Sequence, residues 1–299
     1  MSSFRVNSPA LNLRSKPVVA PATKIAVLGY SQIVERIEAV EGSIWWRVSA
    51  TINGIVVNGF VNSSFLTPFD EFIEPESSHE IGPVHLSTNK LISRAVPSGQ
   101  AFPLSEANQP RRSAAAGIQK VEELHKIINW LKVDQSLRYL PKAGATYCNI
   151  YAYDYCYLAN VYLPRVWWTS KAISMLTGGT SVSPIYAKTV SELNANSLHN
   201  WFSEYGNEFD WRQTFDLTEL QESANSGSVC IMSARRKDLN KSGHICAVVP
   251  ETDDHKAVRK NGSVTTPVQS QAGATNFRYG GKIWWTSVNF SSFSFWIHD

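Results

Sequence analysis

The sequence predicts an α+β protein in two domains, and three observations predict it. Residues 4–68 alternate short apolar runs with turn residues, the pattern of a small all-β domain. The stretch from about residue 114 to 226 is largely helix-patterned, and from Ser228 onward the chain returns to strands. Helices gathered ahead of strands, rather than alternating with them, indicate α+β. The 299 residues suffice for two domains, and 43% hydrophobic with 11% aromatic content can fill their cores.

In the first domain the apolar runs are Lys24–Leu28, Ser43–Val48 and Gly54–Val61, separated by Gly29, Glu41-Gly42 and Asn53-Gly54. Asn-Gly between two such runs is a hairpin signal, because both central positions of a type I′ turn need positive φ. Short strands in so few residues suggest a closed or partly closed barrel. The segment Leu11-Asn12-Leu13-Arg14-Ser15-Lys16-Pro17 resembles the opening of bacterial SH3-like domains. Trp45-Trp46-Arg47-Val48 and Gly59-Phe60-Val61-Asn62-Ser63-Ser64-Phe65-Leu66 resemble their close. The resemblance implies an SH3-like β-barrel over residues 1–68 that binds cell-wall peptides or polysaccharide. A barrel that only packs against its neighbour is the plainer alternative.

Residues 69–95 are acidic and without periodicity, which reads as a linker. Pro97, Pro103 and Pro110 make 96–113 an extended strap at the start of a second domain, 96–299. A helix is expected from Ala114 to Lys132, with Ile118, Val121, Leu124, Ile127, Ile128 and Leu131 on one face. Another runs from Cys148 to about Asn160, with Pro164 beyond it. Residues 165–226 are aromatic-rich, with helices expected at Thr189–Tyr205 and Thr218–Asn225. Strands are expected at Val229–Met232, Ile245–Val249, Pro267–Gln271 and Ile283–Val288.

A net charge of +3, with no block of five like charges, gives no electrostatic case for a nucleic-acid partner. No run of 18 apolar residues exists, so no membrane span is expected. Met1-Ser2-Ser3-Phe4-Arg5 lacks the apolar region of a signal peptide. The expectation is a chain that stays inside the cell, leaves by a non-classical route, or has had a leader trimmed. The four cysteines, Cys148, Cys156, Cys230 and Cys246, form no Cys-x-x-Cys pair, so no structural zinc site is expected. Cys156 and Cys246 fall inside apolar elements, where reduced thiols are common.

Cys148 is the candidate nucleophile. It follows Gly144-Ala145 and opens a helix, where the positive end of the dipole favours thiolate and backbone N–H groups are free to hold an oxyanion. Among seven histidines only His244 combines a preceding glycine with a following apolar strand, in Gly243-His244-Ile245-Cys246-Ala247-Val248. It is the candidate base. The group orienting its far nitrogen is sought on the next strand, with Gln271 first, then Glu251, then Asn276. Tyr147 and Asn149 flank the nucleophile as candidate substrate contacts. Trp167-Trp168 suit either stacking on a sugar or peptide stem, or core packing. Arg165 suits either a substrate carboxylate or an internal acid.

The Cys148 helix, the His244 strand and the polar residue on the strand after it resemble the papain-like cell-wall hydrolases, the NlpC-type endopeptidases and CHAP amidases, over roughly residues 140–275. Carried over, the catalytic roles fall on Cys148, His244 and Gln271, on a papain-like α+β domain. Two departures stand out. Asn149-Ile150-Tyr151 follows the nucleophile in place of a small residue and Trp or Ser, and Cys148 and His244 lie 96 residues apart, lengthened by a helical insertion over 165–226. The resemblance implies hydrolysis of an amide in the peptide stem of bacterial peptidoglycan at the cell envelope, without metal or organic cofactor. Two alternatives remain open at this level: a papain-like transferase, deamidase or protease acting on proteins, as in a toxin, and a non-catalytic wall-binding protein.

Overall fold

A computed structural model describes residues 2–8, 10–52, 54–72, 81–113 and 117–299. The chain divides into two compact units, residues 1–80 and 81–299. Helix and strand both contribute, as the α+β expectation requires.

The first unit is a seven-stranded antiparallel sheet. Its strands are β1 (Ser2–Val6), β2 (Ala10–Arg14), β3 (Lys24–Gly29), β4 (Ile33–Ala39), β5 (Trp45–Ile52), β6 (Ile55–Asn62) and β7 (Leu66–Pro68), in the order β3-β2-β6-β5-β4-β1-β7. Alternate residues of six strands, among them Val6, Leu13, Leu28, Val34, Val48 and Val61, meet in one core. A flat sheet cannot bring six strands to one core, so the strands wrap around it. β5 and β6 form the expected hairpin, with Ile52 opposite Ile55 and Gly54 at φ +78°; Asn53 lies outside the described residues.

The second unit begins earlier than its sequence suggests. Within the stretch read as linker, Ile81, Val84, Leu86 and Ile92 are buried in the same core as the helices that follow. Their spacing matches neither helix nor strand, so the acidic composition nearby hides them. Residues 73–80 of that stretch lie outside the described residues. In the strap, Arg112 donates to the Ala159 and Gly227 carbonyls at 3.0 and 2.7 Å, stitching it to the helices.

α1 (Ile118–Leu131) buries Val121, Leu124, Ile127, Ile128 and Leu131, but Ile118 is exposed; Ala114–Ala116 lie outside the described residues. α2 (Cys148–Leu158) is buried all round, from Ile150 through Cys156. That burial includes Asp154, whose carboxylate takes Arg138 Nε at 2.6 Å, Arg138 Nη2 at 3.2 Å and the Tyr139 hydroxyl at 2.9 Å. A charge so far from water persists only with such a full set of partners.

The inserted stretch is shorter in helix than expected. It holds β8 (Val166–Trp168), α3 (Ser170–Thr177), β9 (Val190–Glu192), α4 (Ala195–Tyr205), β10 (Arg212–Thr214) and α5 (Leu217–Asn225). The helix expected from Thr189 starts only at Ala195, where Asn194 caps it, because β9 pairs with β8 first.

Seven strands complete the unit: β11 (Val229–Arg236), β12 (His244–Val248), β13 (Val258–Lys260), β14 (Ser263–Thr266), β15 (Gln269–Gln271), β16 (Phe277–Gly280) and β17 (Phe290–His298). The main sheet runs β10-β17-β11-β12-β15-β16, antiparallel throughout. Strand alternation gives it two faces. Val229, Ile231, Ile245 and Ala247 pack with α2 and α4, and Cys230, Met232, Cys246 and Val248 pack with Leu220 and Ala224 of α5. The strand expected at Ile283–Val288 is a loop. Ile283 and Val288 are exposed there, while Trp285 alone is deeply buried, and the ladder beside β11 belongs to β17.

Candidate active site

Cys148 opens α2 and is packed into the core, 1% exposed. No side chain caps α2, so its first N–H groups stay available. The backbone N–H groups of Ile245, Asn149 and Cys148 itself act on the sulfur in the direction that favours its charged form. Cys148 shares its core with Ile245, at the start of β12 and one residue from His244. The helix dipole predicts a lowered pKa, but the thiol is instead held above its ordinary value. Burial is the largest influence, and the N–H groups and the Arg165 charge offset it only in part. A thiol, not a thiolate, is the form this site favours.

His244 is half-buried, and its ring is fixed from two sides. Its Nε2 lies 2.8 Å from Gln271 Oε1. The amide orientation follows from its other end, since Gln271 Nε2 donates to the Thr275 carbonyl at 3.1 Å, which only an NH2 can do. Oε1 therefore faces the ring, Nε2 carries the proton, and Nδ1 keeps the lone pair of a base. The Trp284 ring stands edge-on to the imidazole, 4.5 Å between centroids at 84°, and its Nε1 donates to Gln269 Oε1 at 3.0 Å. Burial first, then the Arg236 and Lys282 charges, hold the His244 pKa below the ordinary 6.5, against the hydrogen bond it donates to Gln271. Among the described residues no hydrogen bond joins the sulfur to the imidazole. By the alternation of β12, His244 shares the side of Cys246 and Val248, while the sulfur packs with Ile245 and Ala247.

A cleft of about 830 Å³ opens on the His244–Gln271 pair, with Thr146, Arg236, Lys282 and Trp284 also on its wall. Glu251 and Asn276, the other candidates for orienting the histidine, are engaged elsewhere. Glu251 pairs with Arg259 at 2.7 Å. Asn276 donates to the Val133 and Tyr139 carbonyls and accepts from Gly273 N, bracing the turn after β15.

The candidate substrate contacts on the insertion do not line this cleft. Arg165 is buried and its donors are taken by the Gln100 and Leu193 carbonyls and the Glu192 carboxylate. Trp167 packs against Trp201, Tyr205 and Phe209, and Trp168 is likewise buried. Asn149 donates to the Leu193 carbonyl at 2.9 Å, and Tyr147 is half-buried against the core. Asn149 ties the insertion to α2, while Arg165, Trp167 and Trp168 are taken up in packing, the commoner fate of buried Trp and Arg. The sequence reading passes over Trp284, Arg236 and Lys282. A Trp pair directly after Gly280-Gly281-Lys282 was the signal available for the first.

No family model and no curated protein sequence matches this chain. Among solved structures, NlpC2 from Trichomonas vaginalis is similar at 10% identity, over 99% of this chain and 71% of that chain, with a TM-score of 0.28. Among the described residues no helix is long and apolar enough to cross a membrane.

Proposed function

We propose that the second unit is a thiol hydrolase of amide bonds, with Cys148 as nucleophile, His244 as base and Gln271 as the group that orients it. The observation that carries this reading is the ring of His244, held by Gln271 with Nδ1 left basic at the start of β12, one residue from Ile245, whose core Cys148 shares. Nδ1 takes the Sγ proton as sulfur attacks the substrate carbonyl, a transfer that requires the His244 ring and the sulfur, which lie on opposite sides of β12, to be brought together when substrate binds. The N–H groups at the start of α2 stabilise the oxyanion. The tetrahedral intermediate collapses as Nδ1–H protonates the leaving amine, and water, deprotonated by the same nitrogen, hydrolyses the thioester and returns the thiol.

The substrate we assign is an amide in the peptide stem of bacterial peptidoglycan, with the protein acting at the cell envelope. The support is the resemblance of residues 11–66 to SH3-like wall-binding domains, together with a groove in the first unit that brings Leu11, Arg14, Trp45 and Phe65 to one surface. One observation favours the opposite reading, an inert core thiol in a binding protein: the sulfur is almost fully buried. Digestion of purified peptidoglycan by wild type and Cys148→Ala, with products identified by mass, separates the two. Stem fragments released by wild type alone uphold the hydrolase. Equal release by both, or by neither, overturns it.

A further inference from the structure

Two cations face the cleft with no acid to answer them. In this unit Arg94, Arg138, Arg165, Arg212, Arg259 and Arg278 are each ion-paired with a carboxylate. Arg236 is not, and among the described residues no Asp or Glu lines the cleft. Arg236 also sits at an irregularity built into the sheet. Arg235 pairs with Ser292 but Arg236 with Phe290, so Ser291 is an extra residue on β17, a β-bulge of the kind that re-aims a side chain beside a site.

The guanidinium is held in place without being used up. Its Nε donates to the Ser242 carbonyl at 3.0 Å, and its carbon lies 4.7 Å from the centre of the Phe290 ring. Nη1 and Nη2 have no partner among the described residues. A planar fork fixed at its stem, stacked on an aromatic face and free at its tips is preorganised for a two-pronged acceptor. Lys282, exposed on the same cleft, adds a second positive charge without an ion pair among the described residues. Gln269 Nε2 donates to the Lys282 carbonyl at 3.0 Å, which ties its backbone to the strand that leads to Gln271.

We propose that the cleft is an anion-binding site, taking a peptide substrate whose carboxylate is gripped bidentately by Arg236 and attracted by Lys282. The placement of that carboxylate next to a scissile amide rests on the thiol-hydrolase reading. The anion site itself stands on Arg236, Lys282 and Phe290. It has a consequence for the base. The groups facing the His244 ring are Gln271, Trp284, Arg236 and Lys282, of which the two cations weaken its hold on a proton. A bound carboxylate offsets their charge, so the base strengthens when an anionic ligand is in place.

Two measurements on the full chain test this. In the first, Cys148 is alkylated by iodoacetate and by iodoacetamide, with the modified peptide identified by mass. The rate ratio of anionic to neutral reagent falls about tenfold in Arg236→Gln, the scale of one charge-assisted contact. It falls less in Arg236→Lys and in Lys282→Gln, and in wild type it falls with added salt. In the second, the His244 ring resonances are followed by NMR while N-acetylalanine or its carboxamide is added. The carboxylate shifts them in wild type and the amide does not, and Arg236→Gln abolishes the difference. Equal alkylation ratios in wild type, Arg236→Gln and the exposed-site variant Lys282→Gln, or identical NMR responses to acid and amide, overturn the anion site. If neither reagent modifies Cys148, the nucleophile assignment fails, and the NMR titration still decides the anion site by itself.

Discussion

Gly243→Ala is the smallest change that tests whether the position of His244 matters. A Cβ built on Gly243 lies 2.4 Å from the Ala234 carbonyl oxygen and 2.6 Å from Asn196 Oδ1, where ordinary contact begins at 3.4 Å. Neither neighbour yields easily. The Ala234 carbonyl is backbone of β11, directly across the ladder from His244. Asn196 is tethered at both ends, its Oδ1 accepting from Arg236 N at 2.9 Å and its Nδ2 donating to the Lys241 carbonyl at 2.9 Å. The start of β12 must therefore move by about 1 Å, and a reacting group misplaced on that scale costs roughly 10²-fold in rate. Overpacking of this kind costs about 1–3 kcal/mol in stability, less than a core cavity, so the variant should still fold. The assay is release of soluble stem fragments from peptidoglycan, read beside thermal unfolding. Gly243→Ala is expected to lose activity by about two orders of magnitude while its melting temperature drops only by several degrees. Full activity in a folded Gly243→Ala protein would refute the claim that β11 and Asn196 set the position of His244.

Gln271→Leu removes the acceptor that fixes the ring and its tautomer, so kcat is expected to fall roughly 10–10²-fold with KM little changed, as steady-state kinetics on a peptide amide would reveal. Asp154→Ala leaves Arg138 charged and unanswered at a fully buried site, and denaturant unfolding should record a loss of about 3–5 kcal/mol. Stability should also fall in mild acid. Burial holds His85, His125, His199, His244 and His298 below the ordinary 6.5, so as pH drops through that value the unfolded chain binds protons first. Stability is full above the unfolded pKa and declines below it until the folded values are reached. Unfolding curves that coincide at about pH 8 and about pH 5.5 would contradict this.

What the sequence made legible was local. The Asn53-Gly54 signal, the apolar face of α1 and the opening of α2 at Cys148 all depend on neighbours within a turn or two. The rest depends on pairing at long range. Gln271, Glu251 and Asn276 stand side by side as candidates because register is invisible in one strand. The structure separates them by giving Gln271 Oε1 to the His244 ring, Glu251 to Arg259 and Asn276 to two carbonyls of the loops after α1. β17, the longest strand of the main sheet, goes unnoticed because its first half is Ser-rich and exposed and only Phe295–Ile297 are buried hydrophobics in succession. Arg165 and the Trp167-Trp168 pair show the converse error. Chemistry-bearing residue types next to a candidate nucleophile attract functional readings, yet here they hold the insertion together.

The state of the Cys148–His244 pair follows from burial acting on both partners. Desolvation opposes charge, so it raises the thiol and lowers the imidazole, and the resting pair is neutral on both sides. An ion pair of thiolate and imidazolium, poised before substrate arrives, would need the reverse of both shifts. On the proposed mechanism proton transfer then accompanies attack, which makes the hold of His244 on a proton the limiting quantity, and that hold is weakened first by burial and then by Arg236 and Lys282. In the proposed site the two cations that weaken the base are the ones free to take a substrate anion, so attraction of the ligand and activation of the base would be one event. The pH dependence of Cys148 alkylation tests this directly. Without ligand, a neutral pair predicts a rate that stays low and nearly level from about pH 5 to 7 and climbs only as the thiol itself ionises. A plateau of fast alkylation across that range would mean a resting thiolate, and would remove the need for ligand to activate the site.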